Sequence, residues 1–333
     1  MAVVHREHRR TPTTARQATV VTGAAGFAGG HLVSQLAQEG PVEGWYRPGV
    51  PPPAGRVGGD GVTWRAVDLR DEAAVSAALT VAQPAAVYHL AGAANQGASW
   101  ADTDVTFELN AFVTHVLLRA VQAHAREARV LVTTSAAVYR PSTVAVDEDA
   151  PLGPLSPYGV SKLAQEMLAL RAVAEQDLDV VVVRPFNHIG PGQEASYVAA
   201  AFARQLARIE AGEDPPRLLV GNLQPRRDLT DVRDTVRAYR LLMARAPRGG
   251  IYNVCGGVAF AISELLDLLR ASVNVEVAVD IDPTRLRPSD QPMLLGDRTR
   301  LTALTGWVPE IPIAQTLREI LDEQRRAVRE LHG

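Results

Sequence analysis

The chain has 333 residues, 47% hydrophobic and 21% charged, with a net charge of −3; this excludes a disordered or fibrous chain and gives no support for nucleic-acid binding. No apolar run approaches the roughly 18 residues that a membrane span needs, so no membrane association is expected. Cys255 is the only cysteine, which excludes an intrachain disulfide and a cysteine metal cluster; a buried thiol in a reducing, cytoplasmic compartment is expected, and no metal site.

Residues 1–18 carry Arg6, Arg9, Arg10 and Arg16 against Glu7, a local sum of +3. The segment lacks an apolar h-region and reads as a solvated, disordered extension rather than a secretory signal. From Thr19 short β-branched runs alternate with helical patterns. Strands are predicted at 19–22, 42–46, 62–67, 85–90, 130–134 and 180–184, and helices at 27–38, 71–81, 104–124 and 161–175. A Pro/Gly-rich loop covers 48–61. Strands alternating with helices imply βαβ units around a parallel sheet, an α/β Rossmann-type doubly wound fold over 19–184. After Pro185 the rhythm changes, with helices predicted at 197–211, 262–271 and 313–329 and a strand at 249–253. Residues 185–330 read as a smaller C-terminal α/β lobe, mainly substrate-binding, with strands returning to the sheet.

The first predicted strand runs into Gly23-Ala24-Ala25-Gly26-Phe27-Ala28-Gly29. Gly23 permits a tight turn, Gly26 lets the backbone approach a pyrophosphate, and Gly29 lets helix and strand pack closely. The helix start supplies unpaired N–H groups for the phosphates. At the end of the second strand, where a carboxylate would bind the ribose 2′-hydroxyl of NAD, stands Arg47. A guanidinium suits the 2′-phosphate of NADP(H), whereas Glu43, the nearest acid, lies four residues too early. Asp68, with Leu69 beside it, is placed at the adenine, or else caps the following helix. Leu90 and Ala91, at the end of the fourth strand, are assigned to the same cofactor cleft.

The 34 basic residues comprise 33 Arg and a single Lys, Lys162. It completes Tyr158-Gly159-Val160-Ser161-Lys162, a spacing that puts both side chains on one helix face. A free Tyr, with pKa ~10, is a poor acid/base at neutral pH, and a neighbouring ammonium favours its phenolate. Lys also bridges a nicotinamide ribose in a way that a planar guanidinium cannot. Ser135, closing the fifth strand, is the hydroxyl expected to orient a carbonyl; Thr134 replaces it if the register slips by one.

With these residues the chain resembles the extended short-chain dehydrogenases of the NAD-dependent epimerase/dehydratase family, which act on nucleotide sugars. The resemblance runs over about residues 18–325. Four stretches, Arg184–Gln193, Arg227–Asp234, Tyr252–Cys255 and Arg285–Asp290, are similar to the GDP-4-dehydro-6-deoxy-D-mannose reductases, relatives of the GDP-mannose 4,6-dehydratases. By that resemblance Asn187 holds the substrate, Arg227 and Arg287 clamp its nucleoside diphosphate, and Asn110 is the family's structural asparagine. It also implies a homodimer paired through the helices at 104–124 and 159–175. The dehydratases carry a Glu beside the active-site hydroxyl, where this chain has Ala136 and Ala137. Two further departures are Arg140, where the family usually has Gly and which lies near the substrate mouth, and Leu229 in place of Phe.

The implied activity is NADPH-dependent reduction of a 4-keto nucleotide sugar, GDP-4-dehydro-6-deoxy-D-mannose to GDP-D-rhamnose, with Ser135, Tyr158 and Lys162 as the catalytic set. One alternative is a nucleotide-sugar 4-epimerase with tightly held NAD, against which Arg47 argues. Another is a non-catalytic, cofactor-sensing binding protein, since fold alone does not settle function.

Overall fold

A computed structural model of the chain describes residues 18–50, 61–286 and 291–330. The N-terminal extension read at 1–18 lies outside the described residues but for Ala18, as do Arg287 and most of the Pro/Gly-rich loop. The first half supplies β1 (Thr19–Thr22), β2 (Val42–Tyr46), β3 (Val62–Ala66), β4 (Ala86–His89), β5 (Arg129–Thr133) and β6 (Val180–Pro185). The second half supplies β7 (Asn187–Ile189), β8 (Arg217–Val220), β9 (Arg226–Asp231), β10 (Ile251–Val254), β11 (Ala259–Ala261), β12 (Ala278–Ile281) and β13 (Met293–Leu294).

One parallel sheet of seven strands has the order β10-β6-β5-β4-β1-β2-β3. The order turns back between β1 and β4, the switch point at whose carboxyl ends sheets of this kind bind their ligands. Thr22, His89 and Thr133, the last residues of β1, β4 and β5, line up along that edge.

Successive side chains of a strand point to opposite faces, and the burial follows this. Val20, Val87, Val130 and Val182 belong to the core on one face, with Leu79 and Leu117 from covering helices. Val21, Tyr88, Leu131 and Val183 belong to the core on the other, with Leu32 and Tyr239. Both faces are covered, which is why the strands read as continuous apolar runs.

The helices of the first half are α1 (Phe27–Leu36), α2 (Glu72–Ala82), α3 (Thr103–Phe107), α4 (Val113–His124) and α5 (Pro157–Gln176). The helix predicted at 104–124 is therefore interrupted: residues Glu108–Phe112 form a π turn between α3 and α4, with Asn110 buried at its centre. Helix α5 starts four residues before its predicted Ser161. The Ser156 side chain caps it by accepting from the Gly159 N–H, and Pro157 occupies the first turn. Asp71 caps α2, accepting from the N–H groups of Ala73 and Ala74.

The second half contributes α6 (Val198–Glu210), α7 (Val232–Arg245), α8 (Ile262–Arg270), α9 (Thr299–Thr305) and α10 (Ile313–Glu330). Helix α7 is absent from the predicted elements, because its start falls inside the polar run Arg227–Asp234. It packs in the core under β5 and β6, and β10 joins the sheet beside β6. Helices α6, α8 and α10 enclose a third core with Leu206, Leu265 and Leu317. Strand β9 lies between β11 and β13 and also pairs with β7.

Inside the protein Glu166 of α5 and Arg184 of β6 are almost wholly shielded from solvent, with side-chain exposures of 0% and 3%. Their bidentate contact, at 2.5 and 2.9 Å, ties the helix carrying Tyr158 and Lys162 to the sheet. Removing one partner leaves an uncompensated buried charge. Glu166→Ala is expected to lower unfolding stability by about 3–5 kcal/mol, as measured by denaturant titration.

Candidate active site

The glycine turn lies at that switch point. Gly23 has φ +68°, and a Cβ there would lie 2.7 Å from the Ala91 nitrogen and 2.9 Å from the Leu90 carbonyl carbon. A Cβ on Gly29 would overlap the Gly23 carbonyl. The turn is closed so tightly that Gly23, Gly26, Leu90 and Ala91 share one wall. Gly26 is the N-cap of α1, gives no side-chain capping bond, and is followed by no acidic residue in the first turn. The helix start thus keeps its N–H donors and dipole for an anion. Phe27 and Ala28 begin that helix, and Phe27 stacks on His188 with ring centroids 5.9 Å apart.

Ser135 follows β5, its hydroxyl accepting from the Ala137 N–H at 3.1 Å and lying close enough to the Tyr158 phenol to act on it. The alternative Thr134 turns inward, its hydroxyl donating to the Val183 carbonyl at 3.0 Å and to Glu166 at 3.3 Å. Lys162 lies one turn beyond Tyr158, with Nζ 6.0 Å from the ring centroid. Burial brings its ammonium down to about 7. Burial also pushes the Tyr158 phenol up to about 12, with Ser135 opposing the rise and Tyr197 adding to it. The expected lowering of the Tyr by the ammonium is therefore not what the protein alone shows: desolvation outweighs it. Among the described residues no carboxylate acts on the phenol; residues 136 and 137 are alanines.

At the other end of the cleft Arg47 is exposed just after β2, and among the described residues no carboxylate forms an ion pair with it. Glu43 is buried and accepts from the Trp45 indole at 2.8 Å and from Arg65. Asp68 does not cap α2, a position that Asp71 holds. Its carboxylate is gripped by Arg70 at 2.7 and 2.9 Å, which draws it down to about 2. Leu69 beside it is half-buried.

These features fit a phosphorylated dinucleotide. The cradle has no room for a Cβ, the first turn of α1 is uncapped, and the exposed Arg47 guanidinium is in no ion pair with a carboxylate of the described residues. Asn110 adds an orphan: its Oδ1 is buried without a hydrogen-bond partner, while its Nδ2 donates to Ser161 at 2.9 Å. A Cβ on Gly92 would lie 2.5 Å from that Oδ1 and 3.4 Å from Lys162 Nζ.

On the substrate side, Asn187 is exposed on β7, with Leu229 as its register partner on β9. Arg227 stands two residues earlier on β9, its Nη1 donating to the carbonyls of Gln291 (2.7 Å) and Arg226 (3.0 Å). Pairing of β7 with β9 brings Asn187 and Arg227 to neighbouring strands. Leu229 is buried in the third core, and Arg140 is exposed beside Gly153. Burial raises the Cys255 thiol well above its ordinary range, as expected of a structural residue. Among the described residues no His/Cys/Asp/Glu cluster could hold a metal ion, and no helix is long and apolar enough to cross a membrane.

Sequence reasoning missed Thr22, His89, Thr114 and Gln165, four buried polar residues joined to Lys162 by hydrogen bonds. It also missed Tyr197, at the start of α6. No local signal marks them, because each is defined by a partner remote in sequence.

The profile of the GDP-mannose 4,6 dehydratase family matches residues 20–320. GDP-6-deoxy-D-mannose reductase of Pseudomonas aeruginosa is 37% identical over 317 residues, covering 94% of this chain and 99% of the relative. The structure of RMD from Pseudomonas aeruginosa complexed with NADPH superposes with a TM-score of 0.82 at 36% identity, over 93% of this chain and 99% of that one. A putative epimerase from Burkholderia cenocepacia J2315 superposes with a TM-score of 0.83 at 35% identity, again over 93% and 99%. By its sequence, its seven-stranded sheet and its relatives, the chain belongs to the GDP-mannose 4,6 dehydratase family, within the extended short-chain dehydrogenases.

Proposed function

We propose that the protein is an NADPH-dependent reductase of a 4-keto nucleotide sugar, converting GDP-4-dehydro-6-deoxy-D-mannose to GDP-D-rhamnose. The observation that carries the reading is the approach of the Ser135 hydroxyl to the Tyr158 phenol, with alanines at 136 and 137 and, among the described residues, no carboxylate acting on that phenol. Removal of a carbon-bound proton, which a dehydratase needs, has no base there, whereas protonation of an alkoxide does have an acid. The P. aeruginosa relative is named for this reductase activity and its structure holds NADPH.

Gly23, Gly26, Phe27, Ala28 and Gly29 would hold the pyrophosphate, Arg47 the 2′-phosphate, Asp68 and Leu69 the adenine, and Leu90, Ala91 and Lys162 the nicotinamide half. NADPH, when bound, supplies a hydride to carbon 4 of the sugar. Ser135 orients the carbonyl by hydrogen bonding. Tyr158, with its raised pKa, is fully protonated at neutral pH and gives its proton to the oxygen of carbon 4, a stronger base once it becomes an alkoxide. Lys162, charged below about 7, steadies the phenolate left behind and bonds the ribose. Asn187, Arg227 and Arg287 hold the nucleoside diphosphate, for which guanidinium forks are suited. In this reading residues 19–184 bind the dinucleotide and 185–330 mainly the sugar nucleotide.

We infer further that the protein works in a cytoplasmic, reducing compartment and as a homodimer. Val105 on α3, Phe112 closing the π turn, and Val160 and Met167 on α5 are exposed apolar residues on neighbouring helical segments. Exposed apolar side chains on such a helix pair suit docking between two copies.

Tyr158→Phe is expected to lower kcat at least a hundredfold with NADPH affinity unchanged, followed by NADPH oxidation across GDP-, dTDP-, CDP- and UDP-4-keto sugars. Undiminished turnover, or purified protein that retains NAD and epimerises, overturns the reading. Arg47→Ala is expected to weaken NADPH binding about tenfold or more and leave NADH binding within twofold, read by nicotinamide fluorescence.

A further inference from the structure

Lys162 is held by neutral acceptors. One N–H goes to the Thr133 carbonyl at 3.2 Å and a second to Gln165 Oε1 at 2.9 Å. The third has no acceptor among the described residues, and Nζ borders the cleft at Gly92. Gln165, three residues further along α5, is fully buried. Its Nε2 donates to Thr114 Oγ1 at 2.8 Å.

From there every proton has one place. Thr114 gives its hydroxyl proton to the Asn110 carbonyl at 2.6 Å. Its oxygen can then only accept from His89 Nε2, 2.8 Å away, so Nε2 carries the hydrogen. Neutral His89 has no second donor, and its Nδ1 accepts from Thr22 Oγ1 at 2.8 Å. Thr22 in turn accepts the Ala91 N–H at 3.2 Å. Burial drives the His89 imidazole down to about 3, so this tautomer stays neutral. The chain crosses the carboxyl edge of β5, β4 and β1 and ends at the glycine turn.

The charged and titratable groups around Lys162 are few. On its own helix are Tyr158 and Glu166, and both oxygens of Glu166 are held by Arg184 from β6. From β4 comes neutral His89; β5 and the π turn offer only Thr133 and Asn110. A carboxylate at position 165 would form an ion pair with the ammonium and cancel much of its field at Tyr158. An apolar residue would leave the buried ammonium with a single protein acceptor.

We propose that Gln165 is the positioning residue of Lys162, a neutral acceptor whose orientation is locked by the Thr114–His89–Thr22 chain and which holds the ammonium in the cleft without neutralising it. The proposal rests on the reductase reading for its kinetic consequence alone.

The lone lysine makes the test direct. Full-length protein grown on [ε-13C]lysine gives one lysine side-chain resonance, whose pH titration reports Lys162 with or without substrate. Gln165→Glu is expected to raise its midpoint by about one unit or more, and Gln165→Leu to lower it. Thr114→Val, which frees the Gln165 amide to turn, lowers it as well and serves if either variant at 165 fails to fold. With GDP-4-dehydro-6-deoxy-D-mannose, the alkaline limb of kcat follows the NMR midpoints, while KM for NADPH stays within about threefold. Coincident midpoints in the wild type and the folded variants overturn the proposal. A wild-type protein that turns over no 4-keto sugar overturns the reductase reading and leaves the NMR result standing.

Discussion

Arg184 and Glu166 are both removed from water, and each is tolerable there because of the other. The guanidinium has further partners: it donates to the Tyr139 hydroxyl at 2.8 Å and the Glu148 carbonyl at 2.9 Å, and lies over the Tyr139 ring. Tyr139 passes its own proton to Asn253 on β10. Four segments that meet nowhere else in the sequence are thus fixed to one cation: α5, β6, the loop after Ser135 and β10. The distance between Ser135 and Tyr158 depends on it, since one hydroxyl lies on the loop and the other on the helix. The fold spends two buried charges outside the cleft so that neutral groups inside it hold their places.

Inside the cleft the same rule is applied in reverse. Lys162 is also buried, yet among the described residues no carboxylate balances it. Its charge is held by a carbonyl and a carboxamide, which satisfy its protons and leave its field intact. Of these two buried cations the guanidinium is paired with a carboxylate and the ammonium is not. The guanidinium presents a fork that suits a carboxylate; the ammonium is a compact charge that deprotonates when desolvated.

Much of this architecture was legible in the sequence, for identifiable reasons. The strands at 19–22 and 42–46 agree with the structure to the residue, since each is a short buried run bounded by Gly, Pro or Arg. The Tyr158–Lys162 spacing carried its own geometry, since helical periodicity is local. Helix α7 was not legible: Asp231, which caps it, and Asp234, which accepts from the N–H groups of Glu310 and Ile311, disguise its start as a loop. Ser135 and Thr134 differ by one step of strand alternation, and the turn of Thr134 toward the Val183 carbonyl, which favours Ser135, leaves no trace in the sequence. The network behind Lys162 was out of reach, since its links join residues 25, 51 and 67 positions apart. Tertiary polar contacts leave no period to read.

The π turn at 108–112 bears on how this gene can change. An α-helix advances about 100° per residue, as 3.6 residues per turn require, and a π turn accommodates one residue beyond that phase. Loss of any single codon in this stretch would let the segment relax into an unbroken α-helix, so it would cost little secondary structure. It would also leave α3 and α4 in their present phase, because the residue lost is the one that the wide turn absorbs. The gain of a further residue is different: it would swing one flank by about a quarter-turn against the other and carry Asn110 from its place beside Ser161. The stretch should therefore tolerate the loss of one codon far better than the gain of one, an asymmetry that would set it apart from the surface loops around it.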